Sequence, residues 1–323
     1  MIPPIDDVLD GAHVLSMPMR TKFRGITTRE VMLVRGPAGW GEFSPFPEYD
    51  DVESAPWLAS AIEAAWDGPP SPLRRRIPVN ATVPAVAASE VASVLNRSPG
   101  AETAKVKVAE KGQTLADDVA RVRAVRELVP RVRVDANGGW TVDEAVAALT
   151  ALTADGPLEY AEQPCATVAE LVELRRRAPG VRVAADESIR RAEDPMKVVR
   201  AGGADIAVLK VAPLGGMRAV LELAGELGEY GVPVVVSSAL DSAVGISAGL
   251  AAAAALPHLE FACGLGTGAL FVRDVAPAPE VVDGTYPVGS LEPDAQALIE
   301  LDADADRTQW WIERVRRCHA LLR

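Results

Sequence analysis

RVRVDAN (131–137), LEYAEQP (158–164) and VRVAADES (181–188) are three short apolar runs, each reaching a carboxylate near its end: Asp135, Glu162 and Asp186. Short apolar runs of this length fit strands buried on both faces. The segments between them have helical periodicity. The one from Thr141 to Ala154 opens with Thr141 as N-cap and Glu144 three residues on, a reciprocal capping pair. The same unit repeats outward, upstream as VNATVPA (79–85) and AKVKVA (104–109), downstream as DIAVLKV (205–211), PVVVSSAL (233–240) and LEFACGLG (259–266). Strand–helix alternation implies a parallel sheet. Eight strands with seven helices between them suit a closed α/β barrel of (β/α)7β form. An open doubly wound sheet is the alternative.

The chain on either side of this repeat has another pattern. GPPSPLRRRIP (68–78) is rich in proline and charge and is the best linker, so a boundary is expected after residue 77. The N-terminal part, 1–77, reads as α+β: MRTKFRGITTREVMLVRGPAGWGEFSP (19–45) gives two strands joined around Gly36 to Gly39, and a helix runs from about Ser54 to Asp67. The barrel occupies 78–276. The remainder, 277–323, starts irregular and ends in a helix (Arg307 to Leu322) expected to return onto the N-terminal unit.

Composition removes several function classes. With 33 basic against 45 acidic residues and a net charge of −12, nucleic acid is not an expected partner. The longest uncharged apolar stretch, Ser242 to Pro257, is too short to span a bilayer, and the first residues lack the pattern of a signal peptide. Cys165, Cys263 and Cys318 are too scattered for a disulfide framework or a zinc site, which suits a reducing, cytoplasmic setting. His13, His258 and His319 have no metal-ligand spacing and read as structural. An anionic small-molecule substrate remains open, because a pocket can be locally basic on an acidic protein, and no pattern sets an oligomeric state.

Chemistry gathers at the strand ends. Lys105 and Lys107 end the second barrel strand, Asp135 and Asn137 the third, Glu162 the fourth, Asp186 and Glu187 the fifth, Lys210 the sixth, Ser237 and Ser238 the seventh, Gly264 and Gly266 the eighth. Successive members lie roughly 24 to 28 residues apart, one strand–helix unit. Closing the sheet brings them to one rim, the C-terminal face on which barrel enzymes build active sites. Asp135, Glu162 and Asp186 offer carboxylate oxygens to one hard cation; magnesium suits them, with manganese as its substitute. Lys107 and Lys210 come from opposite sides of the mouth, and a lysine beside other cations has the lowered pKa that a base near neutral pH needs. Such a cation would bind a substrate carboxylate and offset the charge of the enediolate formed when the α-proton leaves.

Each signal alone has a plainer reading. A lone carboxylate after a strand is usually a solvated loop residue or helix cap, Lys-Val-Lys an edge strand, Glu-Gln-Pro a turn, and GLGTG (264–268) weak evidence of a phosphate cradle. Their shared register argues against coincidence.

In order, Lys-x-Lys (105–107), Asp-x-Asn (135–137), Glu-Gln-Pro (162–164), Asp-Glu-Ser (186–188) and the later Lys210 resemble the muconate-lactonizing branch of the enolase superfamily. That superfamily pairs a lysine base with magnesium. The resemblance implies a capping domain over the barrel, completed by the C-terminal segment, with loops near Met19 to Arg24 and Phe46 to Asp51 above the mouth. GWGEFSPFPEYDDVES (39–54) and SSALDSAVG (237–245) are similar to segments of that branch's dehydratases of menaquinone synthesis, notably the actinobacterial ones. This implies dehydration of 2-succinyl-6-hydroxy-2,4-cyclohexadiene-1-carboxylate to o-succinylbenzoate. By the same resemblance Lys107 abstracts the α-proton and assists departure of the hydroxyl, Lys210 stabilises the enediolate, and Asp135, Glu162 and Asp186 bind magnesium. Lys105 and Asn137 are expected to bind substrate beside these groups, Ser238 and Gly264 to Gly266 to line the succinyl pocket, and Arg20 to cover it. The rivals are racemisation of N-acylamino acids or a lactone cycloisomerisation on the same machinery, and a non-catalytic binding barrel.

Overall fold

The computed structural model describes residues 2–191, 194–277, 279 and 281–322. A short helix α1 (Ile5–Leu9) precedes an antiparallel sheet of β1 (His13–Phe23), β2 (Ile26–Gly36) and β3 (Gly39–Phe43). Three strands stand where the sequence reading had two. The missed turn is Arg24–Gly25, which puts both residues at positive φ (49° and 83°), the geometry that matches the twist of a tight hairpin. Helix α2 (Asp51–Ile62) is capped by Asp50, whose side chain accepts from the N–H of Glu53 at 2.8 Å, and a π turn (Glu63–Asp67) prolongs it.

The linker is strapped down. Arg74 donates to the carbonyls of Ala253 (2.8 Å) and Leu256 (2.7 Å), and β4 (Arg76–Pro78) follows it. The strands β5 (Ala81–Val83), β6 (Thr103–Lys107), β7 (Arg131–Asp135), β8 (Ala161–Glu162), β9 (Val183–Ala185), β10 (Ile206–Lys210) and β11 (Val234–Ser237) then form one parallel sheet in chain order. Every crossover contains helix: α3 (Val91–Leu95), α4 (Leu115–Arg126), α5 (Val142–Leu152), α6 (Val168–Arg177), the pair α7 (Glu187–Arg190) and α8 (Lys197–Arg200), α9 (Met217–Glu229) and α10 (Ala243–Ala255). Thr141 and Glu144 form the expected reciprocal cap on α5.

Closure is made by the segment around Cys263, not by a regular eighth strand. Cys263 bridges Val79 and Gly264 bridges Ser237, so the circle closes on two residues. The chains approach closely here, which requires glycine: a Cβ on Gly264 would strike Ser237, and one on Gly266 would reach the Asn80 carbonyl oxygen at 2.5 Å. After the barrel come β12 (Thr285–Pro287), antiparallel to β4, then α11 (Ala295–Glu300) and α12 (Ala305–Leu321). Helix α12 packs on α2 and β1; its Trp311 is fully buried, edge-on to Phe43 at 5.6 Å. No helix among the described residues is long and apolar enough to cross a membrane.

Strand alternation sorts the barrel residues. Ala104, Val106, Val132, Val134, Ala207 and Leu209 belong to the core shared with the helices. Tyr160, Ala184, Ile206, Val208, Val235 and Phe261 form a separate inner cluster, and Arg133 lies among them. The Arg133 guanidinium donates to the Ala262 carbonyl (2.7 Å) and Asn80 Oδ1 (3.1 Å) and sits 4.7 Å from the Tyr160 ring centroid. Above this layer, the next inward positions carry the candidate site.

Candidate active site

Parallel register sets the site. Lys107 pairs with Asp135, and Asp135 with Glu162, so a lysine and two carboxylates sit side by side on three neighbouring strand ends. Residues two apart share a face, so Lys105 joins Lys107 inside. Across the mouth, Lys210 pairs with Ser237, and Ser237 with Gly264.

The side chains form two ion clusters. Lys105 Nζ lies 2.7 Å from Glu162 Oε1 and 3.2 Å from Asp135 Oδ2; Lys107 Nζ lies 2.6 Å from Asp135 Oδ2 and donates to Asn137 Oδ1. Lys210 Nζ lies 2.6 Å from Asp186 Oδ2, whose other oxygen accepts from Arg190 Nε at 2.9 Å. Gln163 links the strands by accepting from the N–H groups of Asp186 and Ser188, both at 3.1 Å. Asn137 Nδ2 joins the clusters through Glu187 Oε1 at 3.2 Å.

Burial governs the electrostatics. It pushes the Lys107 ammonium down, Lys105 pushes it the same way, and the pull of Asp135 does not restore it. Burial also disfavours charge on Lys105, but Glu162 and Asp135 outweigh it and hold that ammonium protonated. Asp135 and Asp186 are both opposed by burial; the ammoniums of Lys107 and Lys105 hold the first far below its usual range, and Lys210 with Arg190 holds the second down to about 2. Glu162 goes the other way, raised to about 7 by burial and then by the charge of Asp135. Its Oε2 is buried without a hydrogen-bond partner among the described residues. A carboxylate short of positive charge, beside two others, fits a divalent cation. Among the described residues no three acidic, histidine or cysteine groups stand together as a cation cage, and each of these carboxylates gives an oxygen to a lysine.

Lys105, Lys107, Asp135, Asn137, Lys210, Ser237, Ser238 and Gly264 all line one cavity. Ser238 Oγ is 2.6 Å from Thr267 Oγ1, and the Ser238 N–H donates to the Gly264 carbonyl at 3.0 Å. Gly266 is not part of that lining; it packs against Asn80. Arg20 does not cover the cavity either. It is exposed, donates to the Val272 carbonyl at 3.3 Å, and borders a separate depression with Arg97 and Phe271. Being on an extended strand, it faces opposite to its neighbours, and Phe23 and Arg24 at the hairpin turn reach the cavity in its place.

Sequence reasoning also missed Arg190, which is 8% exposed and lines the cavity between Asp186 and Tyr49. The signal was present: Arg190 follows Asp186 at the four-residue spacing of one helical turn.

A cap of sheet and helix over a barrel with lysines and carboxylates on consecutive strand ends defines a class, and family models place the chain in it. Residues 14–65 match the enolase N-terminal domain-like model and residues 87–295 the enolase C-terminal domain-like model. Among solved structures, the muconate lactonizing enzyme of Pseudomonas putida aligns with a TM-score of 0.75 at 21% identity, covering 90% of this chain and 98% of that one. An N-succinyl Arg/Lys racemase from Bacillus cereus aligns at 0.74 and 19%, covering 91% and 97%. These likenesses concern the fold. The o-succinylbenzoate synthase of Mycobacterium tuberculosis (H37Rv) is 65% identical over 322 residues, covering 100% of this chain and 98% of the relative; that of Mycobacterium marinum is 63% identical over 325 residues with the same coverage. The chain belongs to the enolase superfamily and, within it, to the o-succinylbenzoate synthase family.

Proposed function

We infer that this chain is a carbon–oxygen lyase that dehydrates 2-succinyl-6-hydroxy-2,4-cyclohexadiene-1-carboxylate to o-succinylbenzoate in menaquinone synthesis. The observation that carries this is that Lys107, Lys210 and Asp135 line one cavity in a chain matched end to end by o-succinylbenzoate synthases. The mechanism follows from the atoms present. Lys107 Nζ, with its pKa lowered, takes the proton from the ring carbon that bears the carboxylate. The bonding pair moves toward that carboxylate. The new Lys107 ammonium then gives its proton to the hydroxyl on the adjacent carbon as the C–O bond breaks, so water leaves and the ring becomes aromatic. Lys107 ends as it began.

Lys105 stays charged between Glu162 and Asp135 and keeps Lys107 poised as a base. Lys210 presents a second ammonium to the negative charge that develops, while Asn137 and Asp135 hold Lys107 Nζ in position. The family implies a divalent metal. Asp135, Glu162 and Asp186 would hold it as magnesium, with manganese as a substitute; when bound it offsets negative charge on the substrate carboxylate. Ser238 and Gly264 would receive the succinyl arm. Residues 1–77 with 277–323 act as the cap and 78–276 as the barrel, and the three free, buried cysteines suit a cytoplasmic enzyme.

The test is conversion of the cyclohexadiene carboxylate, followed by its ultraviolet absorbance with magnesium and with EDTA. Metal-dependent formation of o-succinylbenzoate is expected. No conversion by folded, magnesium-binding protein would reject this substrate and turn attention to N-acylamino acids.

A further inference from the structure

We propose that a buried ion pair on helix α4, Asp118 with Arg121, is a positioning device for Lys107, acting on the backbone on either side of Val108. This rests on the reading of Lys107 as the base.

Both side chains sit under the loop that leaves β6, Asp118 3% and Arg121 0% exposed. They are one helical turn apart and pair at 2.8 Å. The same Arg121 nitrogen donates to the Lys107 carbonyl at 2.8 Å. The second Asp118 oxygen accepts from the Ala109 N–H at 2.9 Å. Ala109 has a positive φ of 59°, a conformation an alanine holds only when its surroundings impose it. The clamp therefore fixes the last carbonyl of the strand and the first strained N–H beyond it.

Arg121 is anchored in turn. Its Nε donates to the Val86 carbonyl at 2.6 Å and its remaining nitrogen to Gln113 Oε1; Gln113 Nε2 donates to the Ala85 carbonyl at 2.7 Å. The loop after β5, helix α4 and the end of β6 are thus tied at one guanidinium. On its other side Lys107 is held by sheet register to Asp135, and the Val108 N–H donates to the Asp135 carbonyl at 3.1 Å. Lys107 has a flexible side chain, so the direction in which it leaves the backbone decides where Nζ arrives. A displacement of about 1 Å at a reacting group costs about 100-fold in rate. A carbonyl and an N–H gripped by one buried ion pair resist that displacement.

The test uses Asp118→Asn, which still offers an oxygen to the Ala109 N–H, with Arg121→Lys and Arg121→Met. Each is assayed per folded molecule, with ordinary substrate and with substrate deuterated at the carbon that loses its proton. Positioning predicts a fall in kcat of about 10- to 100-fold for Arg121→Met, with KM within about twofold. The deuterium isotope effect should be at least as large as the parent's, and Arg121→Lys should recover part of the rate. If Arg121→Met fails to fold, Asp118→Asn carries the same comparison. Parent kcat and isotope effect per folded molecule would overturn the proposal and leave the pair a structural one. Lys107→Ala run alongside separates the two ideas: if it keeps turnover, the base assignment fails; if it is inactive while the clamp variants match the parent, only the clamp fails.

Discussion

At the barrel mouth, Lys105, Lys107, Asp135, Glu162, Asp186 and Lys210 are at most 9% exposed and sit on strand ends locked by hydrogen-bonded register. The cap reaches the cavity lined by Lys105, Lys107, Asp135 and Lys210 differently, through Phe23 and Arg24 at a two-residue turn, while Tyr49, in the segment before α2, stands behind it and accepts from Arg190 at 3.3 Å. Arg24 lies 4.2 Å from the Phe46 ring centroid and makes one long hydrogen bond, 3.4 Å, to the Tyr49 hydroxyl. Rigid strands therefore hold the groups that must be accurate to a fraction of an ångström, and a turn holds those that only need to cover the ligand. Changes at the mouth should appear in kcat and changes in the cap in KM or stability.

The largest effect is expected from Lys107→Ala. Turnover should fall by about 10²- to 10⁴-fold in steady-state assays, while circular dichroism and Tm stay close to the parent. Loss of folding instead would mean that the Lys107–Asp135 contact is a structural one, and the division between mouth and cap would lose its chemical meaning. Asp186→Asn comes next. It removes the charge that faces both Lys210 and Arg190, so magnesium affinity by calorimetry and turnover should both drop, by about 10²-fold. Unchanged magnesium binding would remove Asp186 from the ligand set. Trp311→Ala probes the cap alone. Deleting this fully buried ring should cost about 3–5 kcal/mol in denaturant unfolding, with kcat per folded molecule within about twofold.

The two regions also differed in how far sequence disclosed them. The convergence of Lys107, Asp135, Glu162, Asp186 and Lys210 was legible because a parallel barrel brings every strand end to one rim, so spacing along the chain becomes adjacency in space. The cap offers no such rule. Its first strand holds Pro18 and shifts register between Pro18 and Phe23, which blurs the alternation a strand should show. Arg190 escaped because Asp186 was read only as a strand end, although it is also the N-cap of the four-residue helix α7 that returns Arg190 to it. The eighth strand was expected from its apolar residues, but among the described residues its pairing is limited to Cys263 with Val79 and Gly264 with Ser237, and the glycines at 264 and 266 mark close chain approach.

The smallest effect gives the finest test of the cap, because two arginines four residues apart make opposite predictions. Arg24 lines the cavity and has no carboxylate partner among the described residues, so it is free to meet a second carboxylate on the substrate. Arg20 points away and is satisfied by the Val272 carbonyl. Arg24→Ala should raise KM about tenfold, the value of one charge-assisted hydrogen bond, with kcat within about threefold. Arg20→Ala should leave both within about twofold. The reverse result would mean that the hairpin rearranges when substrate binds, carrying Arg20 over the mouth. A fall in kcat with either variant would show the cap sharing in the accuracy assigned here to the strands alone.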